Sequence, residues 1–302
     1  MSKSMAIEDS INEVIDVAQR LYGRVPHITR LISNNNFVYR LDFESGLSSK
    51  VIKLAGSGDG APESIRREQQ ALRALSGHGI DVPPIEFTQD DLPQGPKPFT
   101  IMPLLPGTTL SEACRSQTPW AGDGCRWAGR FVHRIGAVPM EALPTIGRPR
   151  DDQAFLSYVQ KNFDAEKMVI PPFSTILEEA QRLLRSPVRQ LIHGDYSWGQ
   201  IITDGHRFAV IDWESVIVGH PLNMLGRAVA MSREYGGTQR HIEMFIEGYE
   251  QEQALTDADR RDLHLWEMWH HVGCMGWKFV CGSDHRSHAF AMAERVKGWA
   301  KV

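Results

Sequence analysis

The segment from Leu191 to Leu225, LIHGDYSWGQIITDGHRFAVIDWESVIVGHPLNML, constrains this chain more than any other. Two aspartates stand in it in opposite settings. Asp195 follows His193-Gly194 in a short turn just after the apolar pair Leu191-Ile192, whereas Asp212 ends the apolar run Phe208-Ala209-Val210-Ile211 and precedes Trp213. Between them, Thr203-Asp204-Gly205-His206 carries an Asp-Gly pair flanked by apolar runs, a strong short-range hairpin signal. A hairpin brings its ends together, so Asp195, Gln200 and Asp212 are expected to converge. Two carboxylates and an amide at strand ends make a hard-oxygen site suited to Mg2+ and phosphates. Phosphoryl transfer is the chemistry that needs such a site.

The rest of the chain reads as strands early and helices late. Residues 9–22 place Ile11, Val14, Ile15, Ala18 and Leu21 on one helical face, with Asp9 or Ser10 as N-cap. Phe37–Leu41 and Lys50–Leu54 are β-rich runs joined through Glu44-Ser45-Gly46, and Gly56 to Ala61 is a loop. Pro62 to Leu75 reads as a helix with proline near its start, a favoured position. Phe99–Met102 is a buried-strand candidate ended by Pro103 and by Pro106-Gly107. From residue 107 onward the pattern is mainly helical, interrupted by the hairpin region at 191–212. This order predicts an α+β protein. Its small β-rich lobe covers residues 1–102, the proline-rich hinge 103–107, and a larger, mainly helical lobe 108–302.

Two charges sit where a simple core would not put them. Lys53 lies inside an apolar strand, where an unpaired ammonium is costly. Glu68 shares a helical face with Ile65, Leu72 and Leu75. A snorkelling lysine and a partly exposed glutamate would explain each residue alone. Pairing with each other explains both together.

The segment 191–225 resembles the aminoglycoside phosphotransferase family, small-molecule kinases with a protein-kinase-like fold. The family pattern stands here as His193-Gly194-Asp195, then Gln200, then Ile211-Asp212-Trp213-Glu214 and Gly219-His220-Pro221. Gln200 takes the place of an asparagine, His220 of an aspartate, and Met224 of a further aspartate. The resemblance covers roughly residues 30–250 and implies a two-lobed kinase-like fold using ATP and Mg2+. It implies that Asp195 is the catalytic base, and that Asp212 and Gln200 are metal ligands. Lys53, held by Glu68, would meet the α/β-phosphates. Met102, Pro103 and Leu105 would lie against adenine, with the Leu105 N–H as donor. Asn36-Phe37-Val38-Tyr39-Arg40 matches a family run after the phosphate loop, so Asn35 and Asn36 are candidate phosphate-loop residues. That loop, Ser33-Asn34-Asn35-Asn36, has no glycine, although asparagine tolerates left-handed backbone better than most residues. His193 is expected to brace the loop. Glu214 is either beside the site or simply part of a turn.

Composition excludes other classes. The net charge of -4 argues against a nucleic-acid binder. No run of 18 apolar residues exists, and the N-terminal stretch lacks a signal-peptide apolar core, so a cytoplasmic protein with no membrane role is expected. Cys114, Cys125, Cys274 and Cys281 form no C-x-x-C pair and are expected to be reduced, buried thiols.

The acceptor is less constrained. Residues 231–262 hold eight acids against four arginines, either an acidic wall for a cationic substrate or a solvated helix face. Trp266, Trp269 and Trp277 fit core packing better than an aromatic platform. The histidines near them lack ordered zinc-ligand spacing. The partners implied are ATP and a small hydroxylated acceptor. An aminoglycoside-type antibiotic comes first, implying a role in antibiotic resistance; an amino alcohol, a sugar or a macrolide is the alternative. A nucleotide-binding pseudokinase is the reading from another class. Gln200, His220 and the glycine-free loop favour it, while the intact set Lys53, Glu68, Asp195 and Asp212 opposes it.

Overall fold

The computed structural model describes residues 3–142 except 32, 34–35, 45, 59 and 93–96, then 178–179, 182–184, 186 and 188–281. It divides into two compact units: Met1–Thr108 with Ile202–Val216, and Thr109–Ile201 with Ile217–Val302.

The first unit opens with helix α1 (Lys3–Tyr22), then strands β1 (His27–Leu31), β2 (Phe37–Asp42) and β3 (Lys50–Leu54), and helix α2 (Ala61–Gly77). Strands β4 (Phe87–Thr88) and β5 (Phe99–Pro103) follow, and among the described residues these five strands form one antiparallel sheet in the order β1-β2-β3-β5-β4. Register decides which side chains meet. Tyr39 is opposite Ile52, which is opposite Ile101; Phe37, Leu54 and Phe99 align in the same way. These residues share one face and join Val14, Val17 and Ala18 of α1 in a core. The hydroxyls of Ser10 and Tyr39 meet inside it at 2.6 Å. Because strand side chains alternate, Lys53 falls on the other face, opposite Val38 and Thr100. There α2 is anchored by Gln69, whose amide donates to the Phe99 carbonyl (2.8 Å) and the Thr100 hydroxyl (3.1 Å).

Strand β6 (Thr108–Thr109) precedes helices α3 (Leu110–Arg115) and α4 (Ala121–Gly136). Strand β7 (Gln190–Ile192) comes next, and then strands β8 (Ile201–Thr203) and β9 (Phe208–Val210), which are neighbours in the sheet order β6-β8-β9. The turn between β8 and β9 is the expected Asp-Gly hairpin. Gly205 has φ +92°, and the Asp204 carboxylate accepts from His206 N (2.9 Å) and Arg207 N (2.8 Å). The N–H groups of Arg207 and His206 hold that carboxyl below its ordinary value.

In the second unit β7 pairs antiparallel with β10 (Ile217–Gly219), Ile192 facing Ile217 and Gln190 facing Gly219. Helices α5 (Pro221–Glu234), α6 (Gln239–Glu250) and α7 (Asp257–Cys281) complete the described chain. Helix α4 packs on α6, tied by Arg126 to Glu247 (3.1 Å), and α5 packs on α7. Trp266 and Trp269 are buried in this unit's interior, as expected of core residues. Cys114 and Cys125 are free and buried, as expected, with sulfurs 3.6 Å apart; Cys274 is free and half-buried. Trp277, Cys281, His285 and His288 lie outside what is described of the side chains.

Candidate active site

In the first unit the pairing expected of Lys53 and Glu68 is present. The Lys53 ammonium lies 2.9 Å from Glu68 Oε2, 2.6 Å from Asp212 Oδ1 and 3.0 Å from Glu214 Oε2. Burial opposes the lysine's charge, but these three carboxylates more than offset it and hold the ammonium well above the ordinary lysine value. Burial pushes the Glu68 carboxyl up, with Lys53 pulling the other way.

Local backbone explains why Asp212 reaches the lysine. The chain leaves β9 and enters a 3-10 turn at Trp213–Ser215, and Asp212 between them is left-handed, at φ 68° and ψ 54°. Such a conformation is uncommon for a residue with a side chain, although aspartate is among those that adopt it most often. Neighbouring hydrogen bonds fix it. Trp213 N donates to Glu68 Oε1 (3.0 Å), and the Trp213 indole donates to the Val210 carbonyl (2.8 Å). The Ile-Asp-Trp-Glu run is therefore clamped to α2 by the same glutamate that binds Lys53.

Glu214 belongs to this cluster rather than to a turn alone. Its Oε2 accepts from Asn36 Nδ2 (2.6 Å), and Asn36 Oδ1 accepts from Gly56 N (3.2 Å). Arg67 donates to the Glu214 carbonyl (3.3 Å). Asn36 thus joins the turn before β2 to the lysine cluster, while Asn35 lies outside the described residues. Met102, Pro103 and Leu105 are half-buried at and just beyond the end of β5, where Leu104 N donates to the Ser49 carbonyl (3.0 Å).

Asp195 and Gln200 belong to the second unit. Strand β7 ends in the turn His193-Gly194-Asp195, where Gly194 takes φ +76°, a conformation that favours glycine. His193 is fully buried and its Nδ1 accepts from Asp195 N (3.3 Å), the bracing part expected of it. Tyr196 anchors the next step: it is buried, donates to the Ala128 carbonyl of α4 (2.9 Å), and stacks on Phe131. Gln200 ends the 3-10 turn Trp198–Gln200, and its Oε1 accepts from the Ser197 hydroxyl. The sequence reading missed Arg227 of α5, whose guanidinium donates to Asp195 Oδ1. His220, standing where an aspartate is usual, caps α5: its Nδ1 accepts from Leu222 N (3.2 Å), and burial holds its pKa below the ordinary histidine value.

A buried lysine tied to a helix glutamate on one face of a five-stranded antiparallel sheet, followed by a mainly helical region, defines an α+β protein-kinase-like fold. Solved structures of this fold agree along nearly the whole chain. A choline/ethanolamine kinase family protein from Mesorhizobium loti matches with a TM-score of 0.71 at 15% identity, covering 98% of this chain and 95% of that one. The amicoumacin kinase hAmiN in complex with AMP-PNP, Ca2+ and Ami matches with a TM-score of 0.72 at 18% identity, covering 99% and 96%. The GDP complex of wild-type aminoglycoside 2'-phosphotransferase-IIIa gives a TM-score of 0.72 at 14% identity, covering 95% and 99%. No curated protein sequence matches. The model of the phosphotransferase enzyme family (APH) matches residues 27–266, and the chain belongs to that family. It is therefore a small-molecule phosphotransferase.

Proposed function

We propose that this phosphotransferase uses ATP and Mg2+ to phosphorylate a hydroxyl group of a small molecule. The observation that carries the reading is the Lys53 cluster. Three carboxylates around one ammonium leave excess negative charge in a buried place, which repels a phosphate unless a further cation comes with it. The proposed ligands are of the kind a hard divalent ion takes: Asp212 would offer a carboxylate oxygen and Gln200 an amide oxygen. Among the described residues no group of three or more histidines, cysteines, aspartates and glutamates could hold a metal. Mg2+ is usually bound by one or two carboxylates together with substrate phosphates. When bound, the ion would neutralise charge on the phosphates.

The chain's own residues take the remaining roles. Lys53 holds the α/β-phosphates and Glu68 orients it. Met102, Pro103 and Leu105 receive adenine, and Asn35 and Asn36 shape the phosphate loop. Asp195 orients the acceptor hydroxyl and takes its proton. The acceptor oxygen bonds to the γ-phosphorus as the bond from that phosphorus to the β,γ-bridging oxygen breaks, and ADP leaves. In the loose transition state of phosphoryl transfer, positioning and charge neutralisation supply most of the acceleration.

Aminoglycoside-type antibiotics are the first acceptors to test, on family grounds. A neutral or weakly charged metabolite is the second reading, favoured by one observation. Four of the eight acids between residues 231 and 262 are in ion pairs: Glu243 and Glu247 with Arg240 (3.3 Å each), Asp262 with Arg182 (2.7 Å), and Glu250 with Arg260. A wall with half of its carboxylates already paired offers less to a polycation than the sequence alone suggests. A cytoplasmic setting is part of the same proposal; among the described residues no helix is long and apolar enough to cross a membrane.

The test is phosphate transfer from [γ-32P]ATP to a panel of aminoglycosides, amino alcohols, sugars and macrolides. With the acceptor it reveals, Asp195→Asn is expected to lower kcat by about 10²-fold or more while keeping nucleotide affinity. Wild-type turnover in that variant removes Asp195 from the mechanism. Nucleotide binding with no turnover on any acceptor or on water would leave the pseudokinase reading.

A further inference from the structure

The fold brings to Asp195 a residue that lies outside the motif. Arg227 stands on α5 roughly two turns after the His220 cap, and its Nη2 donates to Asp195 Oδ1. Helix α5 cannot slide to break this contact. At the neighbouring Gly226 an added Cβ would lie 2.5 Å from the Trp266 Cβ and 2.8 Å from Glu267 N, so α5 and α7 meet there almost backbone to backbone. Leu225 and Ala228 on either side are fully buried. Helix packing, not a loose loop, therefore sets where the guanidinium stands.

Asp195 itself follows a glycine in a turn, and two rotatable bonds separate its carboxylate from the backbone. Within the turn it is braced only through its N–H, on His193. Its side chain is 33% exposed and that of Arg227 is 21% exposed, so the pair remains open to a substrate. A charge-assisted bond is about twice as strong as a neutral one and fixes direction as well as distance.

We propose that Arg227 is a positioning residue for phosphoryl transfer: by engaging Oδ1 it fixes the plane of the Asp195 carboxylate and presents Oδ2 to the acceptor hydroxyl. The proposal rests on the reading of Asp195 as proton acceptor. A guanidinium at this distance makes the carboxylate a weaker base. That cost is small where the transition state is loose and orientation dominates. A carboxylate misaimed by about 1 Å loses on the order of 10²-fold in rate.

The experiment uses the full chain and its Arg227→Gln, Arg227→Lys, Asp195→Asn and Asp195→Asn/Arg227→Gln variants. Turnover is read as [γ-32P]ATP hydrolysis, with water standing in as acceptor. Arg227→Gln is expected to lower kcat by ~10–100-fold with KM for ATP little changed. Arg227→Lys should recover part of the loss, and Arg227→Gln should cost nothing more in the Asp195→Asn background. The second readout does not depend on turnover. NMR of 13Cγ-labelled aspartate, with Asp195 assigned from its Asn variant, should show its carboxyl titrating ~1–3 pH units higher in Arg227→Gln. An unchanged Asp195 titration overturns the ion pair, and equal losses in both backgrounds overturn the positioning role. Full turnover in Asp195→Asn with a shifted titration overturns instead the reading of Asp195 on which the role rests.

Discussion

Replacing Lys53 by methionine tests the central cluster without relying on any substrate. The side chain keeps its approximate length and loses its charge, leaving Glu68, Glu214 and Asp212 facing one another. Glu68 and Glu214 have side chains only 2% and 13% exposed, whereas Asp212 is 37% exposed and largely screened. Removing one partner from a buried pair costs ~3–5 kcal/mol, because the charge left behind is uncompensated. At ~2–4 °C per kcal/mol, the melting temperature should fall by ~6–20 °C at pH 7.5. The penalty has a definite pH dependence. In wild type the Lys53 pKa is raised, so its contribution is complete below the unfolded lysine value and constant between pH 5 and 8. In the variant Glu68, pushed up by burial, loses the opposing pull of Lys53, so stability returns as pH falls toward its unfolded value of ~4.3. Scanning calorimetry at pH 7.5 and pH 5 should show the gap from wild type narrowing at the lower pH. Adding Glu68→Gln should restore part of the loss at pH 7.5. Equal melting temperatures at pH 7.5, or a gap independent of pH, would refute the argument. At pH 5, where the variant is folded, unchanged nucleotide affinity would separately remove Lys53 from the phosphate site.

Position 200 can be tested by reach against chemistry. Gln200→Asn keeps the donor type and should retain activity, whereas Gln200→Leu should need more Mg2+. Identical Mg2+ titrations in wild type and Gln200→Leu would show that this amide, already accepting from Ser197, is no ligand. The helical unit carries its own pH-sensitive group in Glu267, 2.7 Å from Arg233 and 3.3 Å from His264. Burial alone would push that carboxyl up, but hydrogen bonding from His264 and the charge of Arg233 more than offset it and hold it well below its ordinary value. Its contribution is therefore present above the unfolded value of ~4.3 and lost as pH falls below it. Glu267→Gln should destabilise by ~1–3 kcal/mol at pH 7, with the gap between the melting curves narrowing steadily as pH falls below ~4.3. Parallel curves over that range would sink this account.

What the sequence disclosed follows from how local each signal is. Lys53 stood out because an ammonium in an apolar strand needs a carboxylate, and Glu68 because it interrupts an apolar stripe. Each anomaly is visible within a few residues, and the structure pairs them at 2.9 Å. The Asp-Gly hairpin was equally local. Glu214 stayed ambiguous because its neighbours in the cluster, Lys53 and Asn36, are remote in sequence, Asn36 by 178 residues. The left-handed backbone of Asp212 was hidden for a related reason, since the bonds that hold it come from Glu68 on another element. Strand β1 was missed because HITRL is polar on both faces and buries no residue fully. Strand β10 was missed because three residues give no period to read. Arg227 gave no signal, since a half-buried arginine on a helix reads like any solvated one.

The departures from the family pattern within residues 191–225 all fall in one of the two units. The residues assigned to the nucleotide phosphates, Lys53, Glu68 and Asp212, keep their charges and are bonded to one another. The altered positions, Gln200, His220 and Met224, belong to the second unit with Asp195. His220 keeps the capping function of an aspartate through Nδ1 but not its charge, because burial holds its pKa down. Met224 is buried and supplies no charge at all. With two carboxylates of the pattern absent, this unit carries less negative charge at these positions than the pattern would give it, and Arg227 is set against Asp195. A hydroxyl brought to the proposed base would lie near this guanidinium, which disfavours an ammonium beside it. On the proposed reading, the nucleotide site is kept while the charge tolerated in the acceptor changes. This is why the panel must reach beyond polycationic aminoglycosides to neutral sugars.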